Sequence, residues 1–273
     1  MAVITISRQV AALGDEIAAA AAKLMGYKFI DRKAIEQHII ALGFPAEKLK
    51  KYDEVKPGFF ASLAKDRDEY LDYLQTAILE SAAEGDCILI GRGAFIILED
   101  VPNLVALRIV SKDKVRMSRL MAEFSWDEKK ARQRIEESDA NRLGFHKSFF
   151  NLENEDPTHF HLVINSSLLN ADAAAQTIAD FCAHFITPDK EAAGKKKIDE
   201  LLAAQHLVNS LIFEHKLNIN FLRAVIFDKT ITLQGVADSS ALAEKAVAVA
   251  SALMPEYTVE SAISVVQDFK SYP

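Results

Sequence analysis

Five short apolar runs, interleaved with helical patterns, constrain this chain more than any other feature. Ala2–Ser7 is rich in β-branched residues and barely alternates, which suits a strand buried on both faces of a parallel sheet. Tyr27–Ile30, Cys87–Ile90, Leu104–Val110 and Leu162–Asn165 are further strands of the same kind. Between them the spacing predicts helices from Gly14 to Met25 and over Arg32–Ala41, Asp66–Glu84, Lys112–Phe124, Asp127–Phe145 and Asp172–Ile186. Strands alternating with helices in this way give a parallel α/β sheet with right-handed crossovers. Phe44–Lys65, with Pro45, Pro57, Gly58 and the pair Phe59-Phe60, reads as an insertion of turns and short helices.

In such a sheet ligands gather beyond the C-terminal ends of the strands. Those ends carry Ser7-Arg8, Asp31-Arg32, Gly91-Arg92, Ser111 and Asn165-Ser166. Three of the five supply an arginine, which points to an anionic ligand. The first strand runs through a turn, Val10-Ala11-Ala12-Leu13, into the helix at Gly14, a corner that presents backbone N–H groups to anions.

After the last of these helices, Thr187–Lys197 holds Pro188, Gly194 and three consecutive lysines, and residues 187–196 read as a linker between a domain at 1–186 and another at 197–273. The second part follows an αββαβ order. Its helix spans Lys197–Lys216, its strands Ile219–Phe227, Thr230–Val236 and Tyr257–Asp268, with a helix at Ser239–Leu253. Asp228-Lys229 marks a tight hairpin. This is a small α+β domain.

Composition narrows the function classes. A net charge of −7 argues against a dedicated nucleic-acid binder. Cys87 and Cys182 give no disulfide framework and read as buried thiols. No charged n-region precedes an apolar stretch and no apolar run is long enough to span a bilayer, so a cytoplasmic location is the expectation. His159 and His161 stand without a wider ligand cluster, so no metal site is expected.

Six short pieces in order resemble the cytidylate kinase-like family, relatives of the bacterial cytidine monophosphate kinases. They are Ile4-Thr5-Ile6-Ser7-Arg8-Gln9, Phe29-Ile30-Asp31-Arg32, Ile90-Gly91-Arg92-Gly93-Ala94, Arg116-Met117-Ser118-Arg119, Asp139-Ala140-Asn141-Arg142 and Leu162-Val163-Ile164-Asn165. The phrase Thr230–Ser239 with the helix Glu244–Ala252 resembles a BON domain, a non-enzymatic module linked to ligand, lipid or protein binding. The resemblance implies a five-stranded P-loop kinase-like sheet flanked by helices, followed by an αββαβ BON-like domain. It also implies an ancestral ATP-dependent nucleoside monophosphate phosphotransferase, with ATP and Mg²⁺ as cofactors if activity survives.

Carried over residue by residue, the resemblance puts a degenerate phosphate loop at Arg8, Ala11, Ala12, Leu13 and Gly14, where relatives have Gly-Ser-Gly-Gly over the last four positions. The lysine slot falls on Gly14, or on Asp15 if the register shifts by one, and the hydroxyl slot on Glu16. No lysine is present in either register. Asp31, Arg32, Arg92, Asp139 and Arg142 match the substrate side, and Arg116 and Arg119 match arginines of the lid that clamp transferring phosphates. Arg8 is placed to replace part of the missing lysine charge. Relatives have an aspartate directly after the Gly-Arg, where this chain has Gly93.

Three readings stay open. One is a nucleoside monophosphate kinase-like enzyme. Another is a non-catalytic protein that binds a nucleotide or another phosphate-bearing small molecule, with a protein or ligand partner for the BON-like part. The third is a purely structural partner-binding protein. Self-association is open under all three.

Overall fold

The computed structural model describes residues 2–49, 52 and 64–266. Most of the insertion, with Phe59 and Phe60, lies outside the described residues, as does Asp268. The run Val3–Arg8 forms β1, and all six of its residues are buried. A strand excluded from water on both faces needs partners on both edges. β1 has them, pairing in parallel with β3 (Cys87–Ile90) and β4 (Leu104–Val110). β2 (Lys28–Ile30) extends the sheet beyond β3, and β5 (Leu162–Asn165) extends it beyond β4. The order is β2-β3-β1-β4-β5. The chain builds β2 and β3 on one side of β1 and then crosses to the other, so winding reverses at β1, where an open sheet forms a crevice.

One face of the sheet is covered by α1 (Gly14–Met25) and α8 (Ala171–Phe185). Their small residues Ala18, Ala21, Ala174 and Ala175 let both helices approach Ile4, Ile6, Val105 and Leu107 closely, and all of these are buried. Strand alternation turns Thr5, Leu89, Ala106 and Arg108 the other way. Tyr70, Leu74 and Ile78 of α4 (Ala64–Ala83) and Ile35 and Ile39 of α2 (Arg32–Ala41) are buried as well. Short helices α3 (Ala46–Leu49) and α5 (Ala94–Ile97) join these elements.

Two charged helices follow β4: α6 (Asp113–Phe124) and α7 (Glu128–Phe150). α7 runs five residues past the expected Phe145, because Phe145, His146 and Phe149 continue its buried stripe. It stops at Asn151, which adopts a left-handed φ of 51°.

Residues 188–196 of the expected linker 187–196 are helical. They form the start of α9 (Pro188–Asn209), which passes into a π-helical turn at Ser210–Glu214. Thr187 Oγ1 accepts a bond from Lys190 N (3.3 Å), and Pro188 occupies the first helical position, where a missing N–H is tolerated. Gly194 is a point of close approach rather than a break, since a Cβ there would lie 1.8 Å from Asn103 Oδ1.

The chain divides into two compact units, Met1–Lys197 and Ile198–Pro273. The second contains β6 (Asn220–Phe227), β7 (Thr230–Ala237), α10 (Ser240–Leu253) and β8 (Thr258–Val265). β7 is central, antiparallel to β6 and parallel to β8. The hairpin closes at Asp228-Lys229, with Phe227 opposite Thr230 and Asp228 at φ 50°. Ser239 caps α10 by accepting from Leu242 N (3.3 Å). Leu207, Val208, Leu211, Ile226, Ile231, Leu233 and Ala246 form a core separate from the first.

Candidate functional site

The corner after β1 is a tight turn that leads through Leu13 into α1 at Gly14. Ala11 and Leu13 adopt left-handed φ values of 56° and 60°. For residues with a Cβ this conformation costs roughly 1–2 kcal/mol each. Ala12 is fully buried, and Leu13 packs against the β1 core. Gly14 serves Arg8: a Cβ on Gly14 would lie 2.5 Å from Arg8 Cγ, so the arginine stem crosses directly over the start of α1. Its Nε lies 3.7 Å from Asp15 Oδ2.

Both arginines of α6 engage the loop through its carbonyls. Arg116 Nε donates to Val10 O (2.9 Å) and Arg119 Nη1 donates to Ala11 O (3.0 Å). Arg119 also donates to Ser166 O (2.7 Å), and burial holds its guanidinium below its ordinary pKa against the opposing charge of Glu16. Arg116 is buried and forms a bidentate pair with Asp139 (2.8 and 2.7 Å). Asp139 is thus brought to α6. Beneath these contacts, Val10, Ala11, Met117 and Trp126 pack on Leu120, Ala131 and Ile135.

On the other side of β1, Arg92 is buried at a left-handed φ of 56°. It donates to Tyr52 O (2.8 Å) and Tyr70 Oη (3.1 Å) and pairs with Glu36. Arg32 Nε reaches the same carboxylate at 2.9 Å, so Arg32 and Arg92 converge on Glu36. Asp31 caps α2, accepting from Ala34 N at 2.7 Å. Tyr52 and Tyr70 stack with ring centroids 4.7 Å apart, and Phe149 packs on both.

Between these two clusters runs a narrow crevice at the ends of β1 and β3, with room for about one water molecule. Arg8, Arg142, Thr5 and Ser7 line it, together with Gly91, Gly93, Phe95 and His146. Thr5 Oγ1 is buried there with no hydrogen-bond partner among the described residues. His146 Nδ1 lies 2.8 Å from Arg142 O. Phe150 closes the Gly93 end, since a Cβ on Gly93 would lie 2.4 Å from Phe150 Cε2. A side chain at position 93, such as the relatives' aspartate, has no space unless that ring moves.

Arg108 joins the site without having been expected from the sequence. It is buried, donates to Ser7 Oγ (3.3 Å) and Asn154 O, and lies over the Phe160 ring (5.8 Å). Burial lowers its pKa, with Glu155 and Asp139 opposing. The available signal was a lone arginine inside an otherwise apolar strand, Leu104–Val110. Ser166, named among the strand ends, receives Arg119, a contact its position alone did not express.

The corner does not fit a magnesium triphosphate. Neither register supplies a lysine or a loop hydroxyl, two loop carbonyls are engaged by arginines, and Asp15 and Glu16 are exposed carboxylates at the helix start. Among the described residues no group of three or more His, Cys, Asp or Glu side chains is placed to hold a metal. No described helix is long and apolar enough to cross a membrane.

A parallel sheet wound from β1, a loop-to-helix corner at that strand and arginines above the strand ends define a kinase-like α/β protein. The model of the cytidylate kinase-like family matches residues 3–168, and the chain belongs to that family. Among solved structures, an uncharacterized protein from Eubacterium ventriosum is similar at 19% identity and TM-score 0.52, over 67% of this chain and 99% of that one. That likeness establishes the fold. A shikimate kinase from Bacteroides thetaiotaomicron aligns at 13% identity and TM-score 0.43, over 67% of this chain and 98% of its own. One from Acinetobacter baumannii, in complex with shikimate, aligns at 16% identity and TM-score 0.39, over 67% and 94%. Comparison with curated proteins gives no match.

Proposed function

We propose that the first unit binds a nucleotide or another phosphate-bearing small molecule without carrying out ordinary ATP-dependent phosphoryl transfer. The observation that carries this reading is the wiring of the corner. Its lysine is absent, and Arg116 and Arg119 are spent on loop carbonyls and Asp139. Transfer rests on preorganised positive charge around the migrating phosphoryl group, and a loop that presents engaged carbonyls does not supply it. Anion binding is better supported, by Arg8 and Arg142 at one crevice with Arg108 behind Ser7. In this reading Arg8 supplies charge at the start of α1, Arg142 meets the ligand's phosphate at the crevice, and Arg108, bound to Asn154 O, supports it through Ser7. Arg92 and Arg32 act through Glu36 to fix the wall around it. ATP and Mg²⁺ would be cofactors only if transfer survived.

The second unit, with its αββαβ order, is read as a BON-like binding module, and the whole chain as a cytoplasmic protein in which ligand binding accompanies partner binding. The test pairs binding with turnover. A phosphate-bearing ligand at 100 times its Kd stabilises by about 2.7 kcal/mol, a shift of about 5–10 °C in a domain of this size. We expect such a shift with inorganic phosphate or a mononucleotide and its loss in Arg142→Ala. We also expect no ADP release from ATP over a panel of nucleoside monophosphates. Turnover that disappears in Arg119→Ala would instead establish a working kinase.

A further inference from the structure

We propose that the outer face of the β6-β7-β8 sheet is a self-association surface, occupied by the same face of a second copy of this chain. α9 and α10 supply the core on the inner face, against Ile226, Ile231 and Leu233. The residues that alternate with these turn outward, and on β6 two of them are apolar and exposed: Val225 is 46% and Phe227 76% accessible. Phe221 is 58% exposed and adopts a left-handed φ of 53° where the β6–β7 register shifts. A phenylalanine rarely adopts that conformation, and a strained, exposed aromatic ring suits a role in contact.

The charges on this face select the occupant. Arg223 and Glu260 are the ionisable residues among its outward strand positions, and neither has an ion-pair partner among the described residues. Arg223 lies opposite Gln234, and Glu260 lies opposite Thr232, so the two stand diagonally across the central strand. Two strand spacings and two residue rises separate them by about 12 Å. A two-fold axis lying in the face, perpendicular to the line joining them, sets each Arg223 over the Glu260 of the other copy. The same operation brings the two Phe227 rings together and crosses the sheets steeply, as in orthogonal sheet packing. One positive and one negative charge related in this way make the face complementary to itself. Three strands of eight residues give a footprint of about 400 Å² per copy, at the weak end of specific interfaces, with a Kd on the order of 10–100 μM.

Sedimentation velocity of the full chain from 5 to 500 μM tests this. The expected result is a reversible dimer that Phe227→Ser abolishes and that Arg223→Glu and Glu260→Arg each weaken at least tenfold. Mixing those two charge variants restores both contacts in a heterodimer, and the double variant restores them in a homodimer, each to within about threefold of the parent. A chain that stays monomeric at 500 μM overturns the proposal, as does a dimer indifferent to Phe227→Ser. Failure of both charge-swap rescues overturns it as well. Flotation with phosphatidylcholine or phosphatidylglycerol vesicles is the second arm. Vesicle binding by a monomeric chain, lost in Phe227→Ser, assigns the face to membranes and rejects self-association.

Discussion

Ala11 holds the loop's left-handed shape without the residue that adopts it most easily. Ala11→Gly relieves a strained backbone but loosens the unfolded chain, and at positive φ the first effect wins. The expected gain is about 0.5–1 kcal/mol, read as a thermal midpoint about 1–4 °C higher. The two cysteines give a second prediction. Burial, reinforced by Glu84 and Asp86, pushes the Cys87 thiol up to about 12, and burial pushes Cys182 up to about 11. Both native values exceed the ordinary value of 9.0. Stability is therefore fully present below about pH 9 and falls as pH rises toward 12, where the unfolded chain ionises and the folded one resists. Thermal midpoints measured from pH 8 to 11 should decline less steeply in Cys87→Ala. Buried thiols were legible from the apolar context of Cys87 and the helical setting of Cys182. Arg108 was not, because a lone charge in a buried strand reveals its partners only once Ser7 and Asn154 are adjacent. Phe150 over Gly93 is a contact across 57 positions of chain, which residue spacing cannot express.

Elements were read more easily than their contacts. Hydrophobic periodicity located all five strands of the first sheet and the αββαβ order of the second unit, since each pattern repeats within a few residues. What it could not carry was the pairing of α6 with α7. Asp139 and Arg142, placed on one face by their spacing of three, point to different tasks: Asp139 to Arg116 and Arg142 to the crevice. Arg116 is 1% exposed, so removing the Asp139 charge leaves a buried guanidinium with the exposed Asp113 carboxylate, at 3.1 Å, as its counter-charge. Asp139→Asn should destabilise the first unit by about 3 kcal/mol, toward the low end for breaking a buried pair because Asp139 is partly exposed. Denaturant unfolding measures the loss. A loss below about 1 kcal/mol would make Asp139 a residue kept for ligand rather than for the α6–α7 contact. In the second unit, Gly235 at φ 156° lets the β6 bulge cross close by, with Ile219 Cγ2 2.9 Å from where a Cβ would stand. Gly235→Ala should cost roughly 1–3 kcal/mol, the range for forcing extra volume into a packed site, again by denaturant unfolding.

At the scale of the molecule, a change in composition was visible at 187–197, but its structural meaning was not. Proline, glycine and a lysine run are common in linkers, yet each has a helical use here. Proline stands at the first position, glycine at a close approach, and the lysines are fair helix formers whose charges reach water. A helix and a flexible linker respond oppositely to proline. Ala193 is exposed in the sixth position of α9, so Ala193→Pro removes no packed side chain and acts through the backbone alone. Inside a helix it forfeits a backbone bond and clashes with the preceding turn, at about 3 kcal/mol or more. In a linker it would change stability by a few tenths or raise it. Differential scanning calorimetry of the full chain should show at least one transition lowered by about 6–12 °C in Ala193→Pro. A control substitution, Ala193→Glu, should leave the profile within about 2 °C, because an exposed helical position accepts a good helix former. Equal profiles for the proline variant and the parent would return residues 187–196 to the status of a linker.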